Sequence, residues 1–120
     1  MITWKNMDTL AAYAELCAAE KVNLKAAMTG EAGAERVKTY TVPMGAGLNF
    51  NYGARPVDDA ILDILAKFAE EQQMVEKFAA LYNGEVINTG EKRLVLHHMC
   101  RGQLGDDVIA DNVNKRDFYL

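Results

Sequence analysis

Apolar residues recur along this chain with two periods, and the switch between them marks helical and extended stretches. Leu10, Tyr13, Ala14 and Cys17 fall at i, i+3, i+4 and i+7, the spacing of one helix face. Alanines crowd positions 11–19 and add intrinsic helicity. Asn6 or Asp8 is placed to cap this first helix, and Trp4 just ahead is expected to be a packing anchor. Asn23 predicts a second short helix over 24–28, stopped by Thr29-Gly30. From Arg36 the residues turn β-branched and aromatic, so 37–44 is predicted as a strand. Gly45-Ala46-Gly47 marks a turn, and Leu48-Asn49-Phe50-Asn51-Tyr52 alternates with period two. Together these predict a β-hairpin, with Pro43 placing its first strand at an edge.

Helical spacing returns after Gly53-Ala54-Arg55-Pro56. Asp58 is a good N-cap, and Asp59 adds charge where the helix dipole favours it. Val57 and Leu62 have the spacing of a hydrophobic staple. Ile61, Leu62, Leu65, Phe68 and Ala69 form the apolar face. Asp63, Lys67, Glu70 and Glu71 lie outside, with Asp63 and Lys67 spaced for an i, i+4 pair. Gln72-Gln73 is a soft break. Met74, Val75, Phe78, Leu81 and Tyr82 make a further stripe that ends at Asn83-Gly84. Asn88 with Glu91 three residues on is a variant capping box, so a helix is predicted from there to Arg101. It would set Arg93 and His97 on one face and Leu94, Val95, Leu96 and Met99 on the others, mostly buried. Beyond Arg101 the signal weakens: Gly102 and Gly105 are breakers, and Asp106-Asp107 suits a short capped piece around Val108-Ile109. The expected fold is mainly α (α+β), with about five helices and one small β-hairpin in a single domain, 1–120.

Composition narrows the function. The chain has 120 residues, half of them hydrophobic and a quarter charged, ordinary for one globular domain. Its net charge is −4 and its pI about 5.1, which disfavours a nucleic-acid surface. No apolar run approaches a membrane span, and the first residues carry no secretory h-region. Cys17 and Cys100 are far apart, which fits a reducing cytoplasm better than a disulfide scaffold. The chain contains no serine, so serine nucleophile chemistry is excluded. Gly45-Ala46-Gly47 lacks the third glycine, the following helix and the Lys-Thr of a phosphate loop. Glu70 and Glu71, as helix neighbours, diverge by about 100° and make a poor acid–base pair. His97 and His98 diverge likewise and lack a third ligand at metal spacing. No cofactor-binding or metal-binding residue is therefore expected in this chain.

Residues 84–101 carry a resemblance. Gly84, Glu85, Ile87, Asn88, Glu91, Arg93, Val95, Leu96, His97 and Arg101 match the N-terminal signature of glucose-6-phosphate isomerases, where Gly-Glu-x-Ile-Asn leads into Thr-Glu-x-Arg-Ala-Val-Leu-His-x-Ala-Leu-Arg. The likeness extends upstream, covering roughly 36–101. Gly90, Leu94 and Cys100 depart from the pattern. The resemblance implies an aldose–ketose isomerase of glycolysis and gluconeogenesis that uses neither metal nor nucleotide. A glutamate would move a proton between C1 and C2 of the sugar phosphate, aided by a histidine and a lysine. Those residues would lie in two αβα sugar-phosphate domains beyond this region. This chain resembles the N-terminal region alone, which implies that it holds no catalytic residue and is inactive by itself, with Arg93, His97 and Glu91 read as a network tying a helix to the missing domains in preference to a remnant proton relay. Its expected partners are those domains, or a second copy through an apolar patch. The competing expectation is a small helical interaction module without enzymatic activity.

Overall fold

The computed structural model of the chain describes residues 1–102 and 105–120. Six α-helices and three two-stranded antiparallel sheets form among the described residues. The fold is mainly α with added β, as expected, but it has three hairpins where one was predicted. The chain divides into two compact units, Asn6–Phe68 and Met1–Lys5 with Ala69–Leu120.

In the unit Asn6–Phe68, a 3-10 turn over Met7–Thr9 follows Asn6, and α1 runs Ala11–Ala18. Helix α1 therefore begins later than either candidate cap implied. Helix α2, Leu24–Ala27, is capped as predicted: Asn23 Oδ1 accepts the Ala26 amide at 3.1 Å. Helix α3, Gly30–Thr39, takes up the first part of the predicted strand. Glu31 in its first turn and Arg36 and Lys38 in its last suit the helix dipole. That preference, with Ala32 and Ala34, outweighs the weak strand propensity of Val37. The strand is confined to β1, Thr41–Pro43, which pairs with β2, Asn49–Asn51, so that Val42 faces Phe50. Helix α4 runs Asp59–Glu71, and Asp58 Oδ1 accepts the Ile61 amide at 2.9 Å. Lys67 reaches Glu15 at 3.2 Å instead of pairing with Asp63.

One side chain gathers this unit. The Arg36 guanidinium donates from Nε to the Gly53 carbonyl (2.7 Å) and from Nη2 to those of Arg55 (2.9 Å) and Val57 (2.5 Å). It lies 4.4 Å from the centre of the Tyr40 ring, a cation–π distance. The Tyr40 hydroxyl in turn donates to Asp59 Oδ1 at 3.0 Å. Burial, then the Asp59 contact, raises the Tyr40 phenol above its ordinary pKa, partly offset by Arg36. The α3 C-terminus, the loop 53–57 and the start of α4 are thus fixed to one another. The buried apolar residues here are few: Leu10, Ala12, Tyr40 and Ile61.

In the second unit, Gln73 takes a left-handed conformation (φ 51°) and separates α4 from α5, Met74–Tyr82. The Gln73 amide ties down the N-terminus: Oε1 accepts from Thr3 N (2.8 Å) and Oγ1 (3.0 Å), and Nε2 donates to Met1 O (3.2 Å). Trp4 carries Lys77 Nζ 5.0 Å above its ring and is half exposed. Strands β3, Val86–Asn88, and β4, Arg93–Leu94, form the second hairpin. Strands β5, Ile109–Ala110, and β6, Val113–Asn114, form the third. Asp111 and Asn112 between them have φ of 53° and 60°, positive at both positions as a type I′ turn requires. Helix α6, Lys115–Tyr119, follows, its first turn capped by Asn114 Oδ1 on Arg116 N at 3.1 Å.

Arg116 is the centre of this unit, only 2% exposed. Its Nη2 donates to the Tyr82 carbonyl at 2.7 Å, and its Nε to the carbonyl of Asp106. It therefore joins α6 to the end of α5. Gly84, just beyond that end, has φ +73°, and a Cβ there would lie 2.3 Å from Val108 Cγ1. Glycine is required twice over, by conformation and by space. Among the described residues of this unit, Ala80, Met99 and Val108 make up the buried apolar set.

Two stability changes follow from these contacts. Arg36→Ala removes three charge-assisted hydrogen bonds and is expected to cost roughly 2–4 kcal/mol, read by urea unfolding followed through tyrosine signals. Arg36→Lys should recover only part of this, because an ammonium lacks the planar fork. An unchanged midpoint for Arg36→Ala would contradict the clamp. Gly84→Ala should cost about 2 kcal/mol or more. Adding Val108→Ala to a Gly84→Ala chain should relieve the steric part, so that the pair costs less than the sum of the singles. Strict additivity would show that the close approach carries no energy.

Candidate functional site

Residues 84–101 hold both histidines, Cys100 and several charges, and the structure rearranges them from what the spacing implied. The predicted helix from Asn88 to Arg101 does not form. Residues 86–94 are instead the β3–β4 hairpin, and only His97–Arg101 is helical, as a 3-10 turn. The capping pair exists nonetheless: Asn88 Oδ1 accepts the Glu91 amide at 3.1 Å, and Asn88 Nδ2 donates to Glu91 Oε2 at 3.3 Å. It closes a turn rather than opening a helix. Gly90 lowers helix propensity by about 1 kcal/mol relative to alanine, Lys92 adopts φ 53°, and the β-branched Val86, Ile87 and Val95 favour extended backbone.

This overturns the predicted alignment of Arg93 with His97. Arg93 lies in β4 and meets Glu91 at 3.7 Å, with both side chains exposed, a contact that contributes little. His97 is exposed, and its carbonyl accepts from Cys100 Sγ at 2.9 Å. The expectation of a mostly buried helix fails for the same reason. Burial is concentrated at Met99, 1% exposed.

His98 is the histidine that packs. Its ring stacks on Tyr82 with centroids 4.5 Å apart and planes 23° apart. Its Nε2 is 3.1 Å from the Tyr82 carbonyl, the same oxygen that accepts from Arg116 Nη2. A carbonyl can only accept, so Nε2 carries the proton in this contact. One main-chain oxygen at the end of α5 thus receives two side chains from downstream segments. The spacing of the sequence pointed to His97 and Arg93, whereas the structure uses His98 and Arg116. The signal for Arg116 was present as Asn114 ahead of Asp117, a short-helix start: Asn114 Nδ2 donates to Asp117 Oδ2 at 2.9 Å and to Asp107 Oδ1 at 3.0 Å.

Beside this knot, Leu94, Leu96, His97, Cys100 and Tyr119 line a cavity of about 340 Å³. The other unit has one of about 590 Å³, whose lining includes Leu16, Cys17, Val22, Pro56 and Ile61. The Tyr13 phenol near Cys17 is raised in pKa, chiefly by its hydrogen bond to that thiol. Among the described residues, no three His, Cys, Asp or Glu side chains are grouped to hold a metal ion. Glu70 and Glu71 lie on α4, and Gly45–Gly47 is the 3-10 turn between β1 and β2.

Comparison with known proteins identifies what this arrangement belongs to. The family model for phosphoglucose isomerase matches residues 51–116, which take in α4, α5, both histidines and Arg116. Proteins named glucose-6-phosphate isomerase are similar over nearly the whole chain: 48% identical in Treponema denticola, 44% in Treponema pallidum and 36% in Borreliella burgdorferi. These alignments cover 98%, 98% and 99% of this chain but only 23%, 22% and 22% of the relatives. The chain thus spans under a quarter of the length of the curated relatives it matches. No solved structure matches it. A family match over more than half of its residues, with close relatives of one name along its length, establishes that the chain belongs to the phosphoglucose isomerase family.

Proposed function

We propose that this chain is the N-terminal region of a glucose-6-phosphate isomerase. It would support the interconversion of glucose 6-phosphate and fructose 6-phosphate without supplying the reacting groups. The single observation that carries this is the lopsided coverage: almost all of the chain aligns, to less than a quarter of each relative. The isomerisation needs a carboxylate to move a proton beside a carbonyl and donors to hold the developing oxyanion. It also needs a cradle for the phosphate. In a serine-free chain whose Gly45–Gly47 segment is a hairpin turn, those roles fall to the sugar-phosphate domains of a longer enzyme. On this reading the reaction takes place there, with no metal or nucleotide, and residues 1–120 act as one structural region of the whole.

Exposed surface supports the same reading. The chain exposes 9034 Å². Two self-contained globules sharing its 13.3 kDa in proportion to the lengths of the two units would expose about 7,800 Å² together. The excess, about 1,200 Å², is larger than the roughly 800 Å² that each partner contributes to a standard interface. Much of the surface is apolar: Met44, Leu48, Met74, Val75, Phe78, Ile109, Phe118 and Leu120 are all exposed. Large apolar side chains exposed in this number fit surface that a partner covers. The partner proposed is therefore the remainder of an isomerase. No helix among the described residues is long and apolar enough to cross a membrane, and Cys17 and Cys100 are both free. The free cysteines support a cytoplasmic setting.

The activity test is direct. A coupled assay for fructose 6-phosphate should show no turnover above background for this chain alone. Robust conversion by the isolated chain would mean that the reacting groups lie within it, and the reading would fail.

A further inference from the structure

The β1–β2 hairpin carries a graded apolar ladder on one face. Directly opposed residues of an antiparallel pair share a face, as do alternate residues along each strand. Val42 opposes Phe50. Tyr52 N donates to Tyr40 O at 2.9 Å on one side of that pair, and Met44 N to Leu48 O at 2.7 Å on the other. The three rungs Tyr40/Tyr52, Val42/Phe50 and Met44/Leu48 therefore lie in line. The opposite face carries Thr41, Pro43, Asn49 and Asn51.

Burial falls steadily along the ladder. Tyr40 is 9% exposed at the base, where its ring sits 5.2 Å from that of Tyr52. Val42 and Phe50 are roughly half exposed, and Met44 and Leu48 at the tip are 54% and 62% exposed. A cleft of about 320 Å³ opens along the middle rung, lined by Val42, Phe50, Tyr52, Val57 and Leu62 with Arg55 at its edge. A two-stranded hairpin is marginal unless its apolar face is packed. Here only the base rung is packed, although every position on that face is apolar.

We infer that the outer part of this ladder, Val42, Met44, Leu48 and Phe50, is a docking arm that seats against an apolar face of the remaining polypeptide of the isomerase. This rests on the function proposed above and names the surface through which the region joins the rest. The length of the relatives argues for that occupant. More than three quarters of each lies outside the part this chain matches, enough polypeptide to supply such a face.

The test uses a complete enzyme chain, the Treponema denticola isomerase with its matching segment replaced by this sequence. Leu48→Glu should lower the melting temperature of that chimera by a few degrees. Asn49→Glu, one residue on and on the opposite face, should leave it unchanged. The same result from Met44→Glu would confirm that the tip rung is covered. No shift for either tip variant would overturn the docking arm. So would a dimer of the isolated 120-residue chain, seen by sedimentation, that Leu48→Glu dissociates, because the occupant would then be a second copy. An unsubstituted chimera with no isomerase activity would strike at the proposed function itself, separately from the docking surface.

Discussion

Each unit of this chain is held by one arginine that donates to main-chain carbonyls. Arg36 reaches three carbonyls of the segment 53–57, and Arg116 reaches those of Tyr82 and Asp106. Guanidinium suits this work because its planar fork of donors meets several acceptors at once, with its charge spread over the group. Loops between short elements leave carbonyls that no helix or strand satisfies, and a buried carbonyl without a donor is costly. The two arginines meet that need and, in doing so, fix where the elements cross. The apolar core follows from this placement: Tyr40 lies under Arg36, and Met99 and Val108 belong to the unit that Arg116 ties together.

A fold secured in this way does not have to bury much apolar surface, and this one does not. Among the described residues, the buried hydrophobic ones are Leu10, Ala12, Tyr40, Ile61, Ala80, Met99 and Val108, two of them alanines. Large apolar side chains remain outside on α5, on the β1–β2 hairpin and at α6. Hydrophobic burial is the main favourable term in folding, so the missing part has to come from elsewhere. The curated relatives this chain matches are more than four times as long, and on the function proposed above the remainder of such an enzyme is what covers these faces.

The sequence made some of this legible and hid the rest for identifiable reasons. Caps were readable because their chemistry is local: Asn23 and Asp58 bond the amides their spacing implied. The β1–β2 hairpin was readable from its period-two alternation. The Gly84–Val108 approach and the Arg116–Tyr82 bond were not, because they join positions distant in the sequence, 34 residues apart for Arg116 and Tyr82. At Asn88–Glu91 the local signal was correct and its consequence was wrong. Asn88 Oδ1 takes the Glu91 amide as the spacing implied, with the Glu91 carboxylate reaching the Asn88 side-chain amide, but the same pair closes a tight turn as readily as it opens a helix, and Gly90 with Lys92 at φ 53° decides for the turn. That error carried Arg93 and His97 to the centre of the expected structural network, while His98 and Arg116 hold that position in the fold. The third hairpin had a signal of its own in Asp111-Asn112, a dipeptide that tolerates the left-handed turn.

The central claim is that the chain is a structural region whose apolar faces are completed only within a longer isomerase. The heat-capacity change on unfolding measures the apolar surface a fold buries, and so tests this claim most directly. A self-sufficient domain of 120 residues would show roughly 1.4–1.8 kcal/mol/K. Calorimetry of the isolated chain is predicted to give a value well below that range, with a broad, weakly cooperative transition. A sharp two-state transition with the full heat-capacity change would contradict the account.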